Sequence, residues 1–219
     1  MLQVKICGIT RVEQGQAITQ LGATALGYIC VEQSPRYITP EKIAAITADI
    51  AAVNPEIEHF GVFADAPLTE MLAITQTAGL GVIQLHGDET TATCQLLRDA
   101  LKMANLPHVK LVKAMRIRAA ADLAAAIAYE PYVDTLLLDA YDPQQLGGTG
   151  HTLDWRSLQT FTPNRPWFLA GGLRPDNVRS ALAQLSPSGI DLSSGVEKSP
   201  GDKDLAKVRQ LFEQIRQMA

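Results

Sequence analysis

Eight apolar runs recur along the chain, and a helix-like segment follows each of them. The predicted strands end at intervals of 22 to 34 residues, near Cys7, Cys30, Ala64, His86, Ala114, Asp139, Ala170 and Ser193. Each interval accommodates one strand, one loop and one helix. The runs are rich in Val, Ile, Leu and Phe, which is typical of strands buried on both faces of a parallel sheet. The pattern predicts an α/β fold.

The number of repeats favours a closed barrel. The chain has 219 residues, so eight units leave about 27 residues each, which suits a compact (β/α)8 barrel of the TIM type. A doubly wound open sheet is the alternative, but such a sheet normally carries a G-x-G-x-x-G turn after its first strand. This chain has Cys7-Gly8-Ile9-Thr10 there, and no linker divides it. We therefore predict a single catalytic barrel domain over residues 1–219.

Composition excludes several classes of protein. Nineteen basic residues face 23 acidic ones, for a net charge of −4, which argues against a nucleic-acid-binding protein. The three cysteines form no C-x-x-C motif, so we expect neither a disulfide framework nor a thiolate zinc site. The start of the chain does not resemble a signal peptide, and the apolar stretch at 21–31 is too short to span a bilayer. We expect a soluble cytoplasmic protein without a membrane partner.

Local patterns predict several helix boundaries. Thr10-Arg11-Val12-Glu13 has the pattern of a capping box, and Asp88 is predicted to cap the fourth helix. Thr39-Pro40 predicts the start of the second helix, with proline at its first position. Gly22 and Gly79 are predicted helix ends.

The alternation of side chains along the strands brings four reactive residues together. Successive strand residues point to opposite faces, and the apolar set of each strand is expected to face the helices. The other set then faces the barrel axis, so the strand ends place Cys7, His86, Asp139 and Asp191 at the C-terminal mouth. Barrel enzymes have their active sites at this mouth.

Each of these residues also has a structural interpretation. Free cysteine is commonly a buried core residue, and a histidine at a strand end is as readily structural as functional. Asp191 is equally compatible with capping a helix or holding a loop. Asp139 follows three leucines, and a buried carboxylate without a partner is costly, so a functional role is favoured there.

Two glycine-rich turns predict a phosphate site. Ala170-Gly171-Gly172-Leu173 ends the seventh strand and Ser193-Ser194-Gly195 ends the eighth, where barrels commonly bind phosphate through backbone N–H groups. The alternative is that these glycines only permit tight turns. Gly147-Gly148-Thr149-Gly150 after the sixth strand is a weaker signal, compatible with an ordinary loop. We therefore expect a phosphorylated substrate, bound at Gly172, Ser193, Ser194 and Gly195.

An arginine lies across the predicted mouth from these turns. Arg36 belongs to Ser34-Pro35-Arg36-Tyr37 in the second βα loop. A guanidinium at this place can hold a planar carboxylate through two parallel hydrogen bonds. The alternative is a solvated surface arginine.

Seven segments together resemble the phosphoribosylanthranilate isomerase family of tryptophan biosynthesis. The resemblance runs from residue 4 to about 207, in the order expected of the family, and is carried by residues 5–10, 34–37, 84–87, 137–139, 147–150, 169–173 and 191–197. Two departures are Asp65, where the family pattern has Asn, and Cys30-Val31-Glu32 at the end of the second strand.

The resemblance implies an Amadori rearrangement that needs no metal or cofactor. Asp139 matches the family's general acid, which opens the furanose ring, and Cys7 matches the general base, which takes a proton from the second sugar carbon. Arg36 is implied to hold the anthranilate carboxylate, while His86 and Asp191 line the pocket. We add that Lys5, two residues before Cys7 on the same face, supplies a positive field for the thiolate.

Three other functions fit parts of this pattern. The related isomerase of histidine biosynthesis has an aspartate where this chain has Cys7. Indole-glycerol-phosphate synthase would show catalytic lysines, a glutamate and an N-terminal extension. A non-catalytic phosphosugar-binding barrel would need neither the acid nor the base. The sequence does not fix the oligomeric state, and a monomer is the default expectation.

Overall fold

The computed structural model describes residues 2–118, 120–140 and 155–218, in which eight parallel strands close into a barrel. The strands are β1 (Gln3–Cys7), β2 (Ala25–Ile29), β3 (Glu58–Phe63), β4 (Val82–Leu85), β5 (Lys110–Ile117), β6 (Thr135–Ala140), β7 (Trp167–Leu169) and β8 (Gly189–Leu192). Each strand pairs with the next, and β8 returns to β1 through the partners Lys5 and Asp191. The predicted (β/α)8 fold is confirmed.

Helices alternate with the strands. They are α1 (Val12–Leu21), α2 (Pro40–Ala51), α3 (Leu68–Ala78), α4 (Thr91–Met103), α5 (Ala120–Ile127), α6 (Trp155–Leu158), α7 (Val178–Gln184) and α8 (Leu205–Arg216). Within the described ranges, no helix combines the length and the apolar character needed to cross a membrane.

Each strand has one face in an apolar layer against the helices and the other face inside the barrel. Ile6 and Leu138 belong to the layer between the barrel and the helices, while Leu137 belongs to a smaller cluster inside the barrel with Phe60 and Phe168. The predicted alternation is therefore confirmed. It directs the polar residues of the strand ends into the C-terminal mouth.

The helix boundaries confirm some local predictions and correct two. Pro40 is the first residue of α2, and Gly22 and Gly79 end α1 and α3 with φ of 121° and 62°. The capping box at Thr10 does not form, because the Thr10 hydroxyl donates to the Gly201 carbonyl, 2.6 Å away.

Asp88 does not cap α4 either. The residue before that helix is Thr90, whose hydroxyl accepts from the Thr93 amide at 3.2 Å. The Asp88 amide instead donates to Asp65 Oδ1 at 2.8 Å, so Asp88 belongs to a turn between β4 and α4.

A small hairpin follows β8 and was not predicted. After a 3₁₀ turn at Ser194–Val196, β9 (Glu197–Ser199) pairs antiparallel with β10 (Asp202–Lys203). Gln14 of α1 fastens the hairpin by donating to Asp202 Oδ1 at 2.7 Å and accepting from the Lys203 amide at 3.1 Å. The hairpin thereby carries Lys203 to the mouth.

The opposite end of the barrel holds a cavity of about 660 Å³. Phe60, Phe168 and Val112 contribute to its lining, and the charged residues at its edge include the ion pair between Glu58 and Lys110. None of the predicted site residues line this cavity. It lies at the end of the barrel that serves stability rather than chemistry.

Candidate active site

Cys7 is the last residue of β1 and is buried at the mouth. Its neighbour across the strand pair is Gly27 of β2. A Cβ atom at Gly27 would lie 2.7 Å from Cys7 Sγ and 3.1 Å from Lys5 Cε. Only glycine leaves room for both side chains here, and the thiol and the lysine chain occupy the same cleft above Gly27.

Lys5 forms a buried ion pair with Asp191. Its Nζ donates to Asp191 Oδ2 at 2.9 Å, and its side chain has no exposed surface. Burial opposes the charge of Lys5, but Asp191 and Cys7 together outweigh it and raise the pKa of Lys5. Asp191 Oδ1 is buried and has no hydrogen-bond partner within the described part of the chain.

The electrostatics around Cys7 work in two directions. Burial raises the pKa of the Cys7 thiol, and the positive charges of Lys5 and Lys203 oppose that rise, while Asp191 adds to it. Lys5 thus acts in the direction inferred from the sequence, but burial is the larger effect. The pKa of Cys7 is therefore above its ordinary value in this structure.

The hairpin adds a second ion cluster beside the first. Arg36 holds Glu197 with two nitrogens, Nε at 3.0 Å from Oε1 and Nη2 at 2.7 Å from Oε2. Lys203 Nζ donates to Glu197 Oε1 at 2.7 Å. Burial by itself would raise the pKa of Glu197, but the Arg36 hydrogen bonds and the Lys203 charge lower it. Burial lowers the pKa of Lys203, and Glu197 offsets this only in part.

Arg36 is therefore an anchored side chain rather than a solvated surface arginine. Only 15% of its side chain is exposed, and a Cβ at Gly8 would lie 2.8 Å from Arg36 Cδ. The second βα loop is held against the first loop and the hairpin. The guanidinium holds the carboxylate of Glu197 through Nε and Nη2, and the clamp on a substrate carboxylate stays a prediction.

Asp139 and His86 meet on the other side of the mouth. His86 Nε2 lies 3.3 Å from Asp139 Oδ2, and Asp139 is buried. Gln84 Nε2 lies 3.0 Å from His86 Nδ1. In this orientation of the Gln84 amide its nitrogen donates to Nδ1, and the imidazole proton is then on Nε2, facing Asp139.

Arg116 is a mouth residue that the sequence pattern missed. The strand was predicted to end near Ala114, but β5 continues to Ile117 and places Arg116 in register with Asp139. Its Nη2 donates to the His86 carbonyl at 3.0 Å. Arg116 is two residues beyond the inward-facing Ala114, so strand alternation would have predicted that it also faces the barrel axis. Lys203 was also missed, and no local pattern indicated it.

The turns after β7 and β8 lie against each other. Gly171 and Gly172 have φ of 83° and 63°, which glycine adopts without strain. A Cβ at Gly195 would lie 1.9 Å from the Leu173 carbonyl oxygen, so only glycine permits this approach. Lys203 Nζ is 3.4 Å from Ser193 Oγ. The fourth glycine segment, 147–150, lies outside the described residues.

The departure at Asp65 fits its surroundings. Asp65 has φ of 54°, in the left-handed region that Asp and Asn tolerate better than other non-glycine residues. Its amide donates to Glu89 Oε1 at 2.9 Å. The aspartate thereby makes the same turn that an asparagine would make, next to the loop that follows His86.

Cys7 and Asp139 at opposite sides of one mouth, above glycine turns after the last two strands, form the arrangement of an enzyme of the (β/α)8-barrel class. The model of the N-(5'phosphoribosyl)anthranilate (PRA) isomerase family matches residues 4–214. The chain is 56% identical over 214 residues to the N-(5'-phosphoribosyl)anthranilate isomerase of Nostoc punctiforme, covering 98% of both chains. The chain belongs to the phosphoribosylanthranilate isomerase family.

Solved structures agree with this assignment. The phosphoribosyl anthranilate isomerase of Thermus thermophilus superposes with a TM-score of 0.86 at 33% identity over the whole of both chains. A phosphoribosyl anthranilate isomerase in complex with reduced 1-(o-carboxyphenylamino)-1-deoxyribulose 5-phosphate superposes with a TM-score of 0.83 at 29% identity, covering 99% of this chain and all of the other.

Proposed function

We propose that this protein converts N-(5-phosphoribosyl)anthranilate into 1-(2-carboxyphenylamino)-1-deoxyribulose 5-phosphate, an Amadori rearrangement of tryptophan biosynthesis. The observation that carries the proposal is the position of Cys7 and Asp139 at one mouth in a chain of this family. The reaction gives a proton to an oxygen and takes another from a nearby carbon, so it needs one acid and one base.

Asp139 is proposed to open the ring. Its carboxyl proton passes to the furanose oxygen, the bond between that oxygen and the first sugar carbon breaks, and the nitrogen lone pair forms an iminium. The oxygen becomes a hydroxyl and Asp139 becomes a carboxylate. His86 Nε2, 3.3 Å away, then faces a full negative charge and stabilises it by donating its proton into a hydrogen bond.

Cys7 is proposed to complete the isomerisation. Its thiolate takes the proton from the second sugar carbon, and the electron pair of that C–H bond forms the double bond to the first carbon. The iminium is neutralised and an enolamine results. The enolamine tautomerises to the ketone: the first carbon takes the proton back, and the hydroxyl on the second carbon gives up its own proton, which restores the carboxyl of Asp139. The iminium is itself the electron sink, so we propose no metal or cofactor.

The remaining site residues are proposed to bind substrate. Arg36 receives the anthranilate carboxylate through Nη1, since Glu197 engages its other two nitrogens. The turns at Gly172 and at Ser193, Ser194 and Gly195 receive the phosphate, with the Lys203 charge behind Ser193 adding attraction. His86 and Asp191 orient the sugar hydroxyls.

The partner we propose is this small phosphorylated substrate, with neither nucleic acid nor membrane. A cytoplasmic location is part of the proposal and is supported by three cysteines that remain free thiols. A monomer stays our expectation for the oligomeric state.

A fluorescence assay tests the proposal. Phosphoribosylanthranilate is generated in situ, and its fluorescence is followed after addition of the purified protein. We expect loss of fluorescence at a rate proportional to protein concentration. Turnover of the aminoaldose of histidine biosynthesis alone would favour the related isomerase, and binding without turnover of either compound would favour a non-catalytic barrel.

A further inference from the structure

Charged and titratable groups face the Cys7 thiol from several elements. They are Lys5 on β1 itself, Asp191 on β8, Lys203 on β10 and the thiol of Cys30 just after β2. Arg36 and Glu197 stand behind Lys203 and are paired with each other. The two lysines are not equivalent, because Lys203 shares its carboxylate with Arg36, whereas Lys5 is paired with Asp191.

Lys5 lies in the same cleft as the proposed base. Lys5 and Cys7 point to the same face of β1, and a Cβ at Gly27 would lie 2.7 Å from Cys7 Sγ and 3.1 Å from Lys5 Cε. The ammonium cannot relax away from the thiol into water, since the lysine side chain is fully buried and its Nζ is fastened to Asp191 at 2.9 Å. A fixed positive charge in a dry site acts more strongly on a neighbour than a mobile one in water.

We propose that Lys5 is a positioning residue for the base: its ammonium, anchored by Asp191, stabilises the thiolate form of Cys7. This inference rests on the proposed function, because it assigns how the base of that reaction is activated. When Cys7 ionises, the S–H bond breaks, its electron pair stays on sulfur, and the proton leaves to water at the mouth. The resulting thiolate faces the ammonium across the Gly27 cleft.

Asp191 has a double effect in this arrangement. It fixes Lys5 beside the thiol, but its own negative charge disfavours a second anion in the cleft. Loss of Lys5 and loss of Asp191 therefore change the ionisation of Cys7 in opposite directions. A merely structural ion pair would give the same sign for both losses, through a loosened site.

The experiment compares the parent with Lys5→Met, Asp191→Asn and the double variant. Thiolate ultraviolet absorbance is titrated against pH, with the matching Cys7→Ala protein subtracted from each. We expect the pKa of Cys7 to be highest in Lys5→Met, next in the double variant, then in the parent, and lowest in Asp191→Asn. The pKa of Cys7 is expected to be higher in Lys5→Met than in the parent by about one pH unit or more. Below the pKa, this means a roughly tenfold smaller fraction of thiolate at the same pH. The acidic limb of the kcat/KM profile moves with it in Lys5→Met.

If Lys5→Met does not fold, the double variant still tests the inference by comparison with Asp191→Asn. It removes both the ammonium and the carboxylate, so neither charge is buried without its partner. A pKa in the double variant that is not above that of Asp191→Asn overturns the inference, as does an equal pKa in Lys5→Met and the parent. Absence of turnover in the parent contradicts the proposed function instead, and the order of the four pKa values is read independently of turnover.

Discussion

The two sides of the mouth are built differently. The base half comprises Cys7 with the ion pairs Lys5–Asp191 and Lys203–Glu197–Arg36, and the acid half comprises Asp139, His86, Gln84 and Arg116. In the base half, Lys5 and Lys203 have no exposed side-chain surface, and Arg36 is 15% exposed. In the acid half, 24% of the His86 side chain is exposed.

In the reaction we propose, the two halves have different tasks. A thiolate base needs positive charge in a dry site, and the base half has three cations against two carboxylates, which also favours an anionic substrate. An acid that has given up its proton must regain one. His86 is the more accessible group and can exchange protons with water, and its Nε2 lies 3.3 Å from the buried Asp139.

Replacement of Cys7, the proposed base, is expected to lower activity more than any other change in the base half. We expect Cys7→Ala to lower kcat/KM by roughly 10²–10⁴-fold or more, with an unchanged circular dichroism spectrum. Cys94→Ala is the matched control, since Cys94 is a buried thiol of α4 outside the mouth. Equal turnover in Cys7→Ala and the parent would remove Cys7 from the mechanism.

Arg36 shows whether the base half is functional or only structural. Arg36→Met is expected to raise the Michaelis constant tenfold or more and, because it leaves the buried Glu197 with Lys203 alone, to lower the free energy of unfolding by about 2 kcal/mol. The double variant Arg36→Met/Glu197→Gln also removes the carboxylate that Arg36 holds. We expect it to recover neither affinity nor stability, because it leaves the buried Lys203 without a carboxylate partner.

Steady-state kinetics and urea denaturation separate the two effects of Arg36. Recovery of the Michaelis constant in the double variant would mean that Arg36 acts only by holding Glu197. An unchanged Michaelis constant in Arg36→Met would leave the arginine a purely structural role and move carboxylate binding elsewhere in the mouth.

His59 is a buried titratable residue of β3 that belongs to neither half of the mouth. It therefore shows how a buried group behaves where no catalytic role is proposed. Its Nδ1 lies 2.9 Å from the Tyr28 hydroxyl, and burial lowers the pKa of His59 to about 4. The unfolded chain binds this proton first, near pH 6.5. The free energy of unfolding is therefore not reduced by His59 above about pH 6.5. It falls as the pH drops from there towards 4, and the full loss is about 3 kcal/mol.

His59→Gln tests this assignment by urea denaturation between pH 4 and 7. The amide keeps a partner for the Tyr28 hydroxyl but does not titrate, so we expect a shallower loss of stability in this interval. Any contribution from Glu197 is common to both proteins and cancels in the difference. The same acid slope in both proteins would contradict the role of His59.

The convergence of Cys7 and Asp139 was predictable because it depends on two local rules, the alternation of strand residues and the position of strand ends. Lys203 was not predictable, since it reaches the mouth only through a hairpin fastened to α1 by Gln14. The pairing of Arg36 with Glu197 joins residues 161 positions apart, which no local pattern shows.

Two wrong local predictions concern residues whose contacts lie far away in the sequence. Thr10 has the pattern of a capping residue, but its hydroxyl finds the Gly201 carbonyl of the hairpin. Arg116 was missed because the strand continues past Ala114 through its ladder with β6, and strand ends depend on such pairing rather than on composition.

The division of labour between the halves is tested most directly by Asp139→Asn. Asparagine keeps the shape and a hydrogen-bond donor but cannot deliver a proton. Product binding by titration is measured beside steady-state turnover in this variant and in the parent. We expect product affinity within a few-fold of the parent and a loss of kcat of roughly 10²–10⁴-fold. Near-parent turnover would contradict the account, and joint loss of product binding and turnover would make Asp139 a positioning residue, with Asp191 the next candidate for the acid.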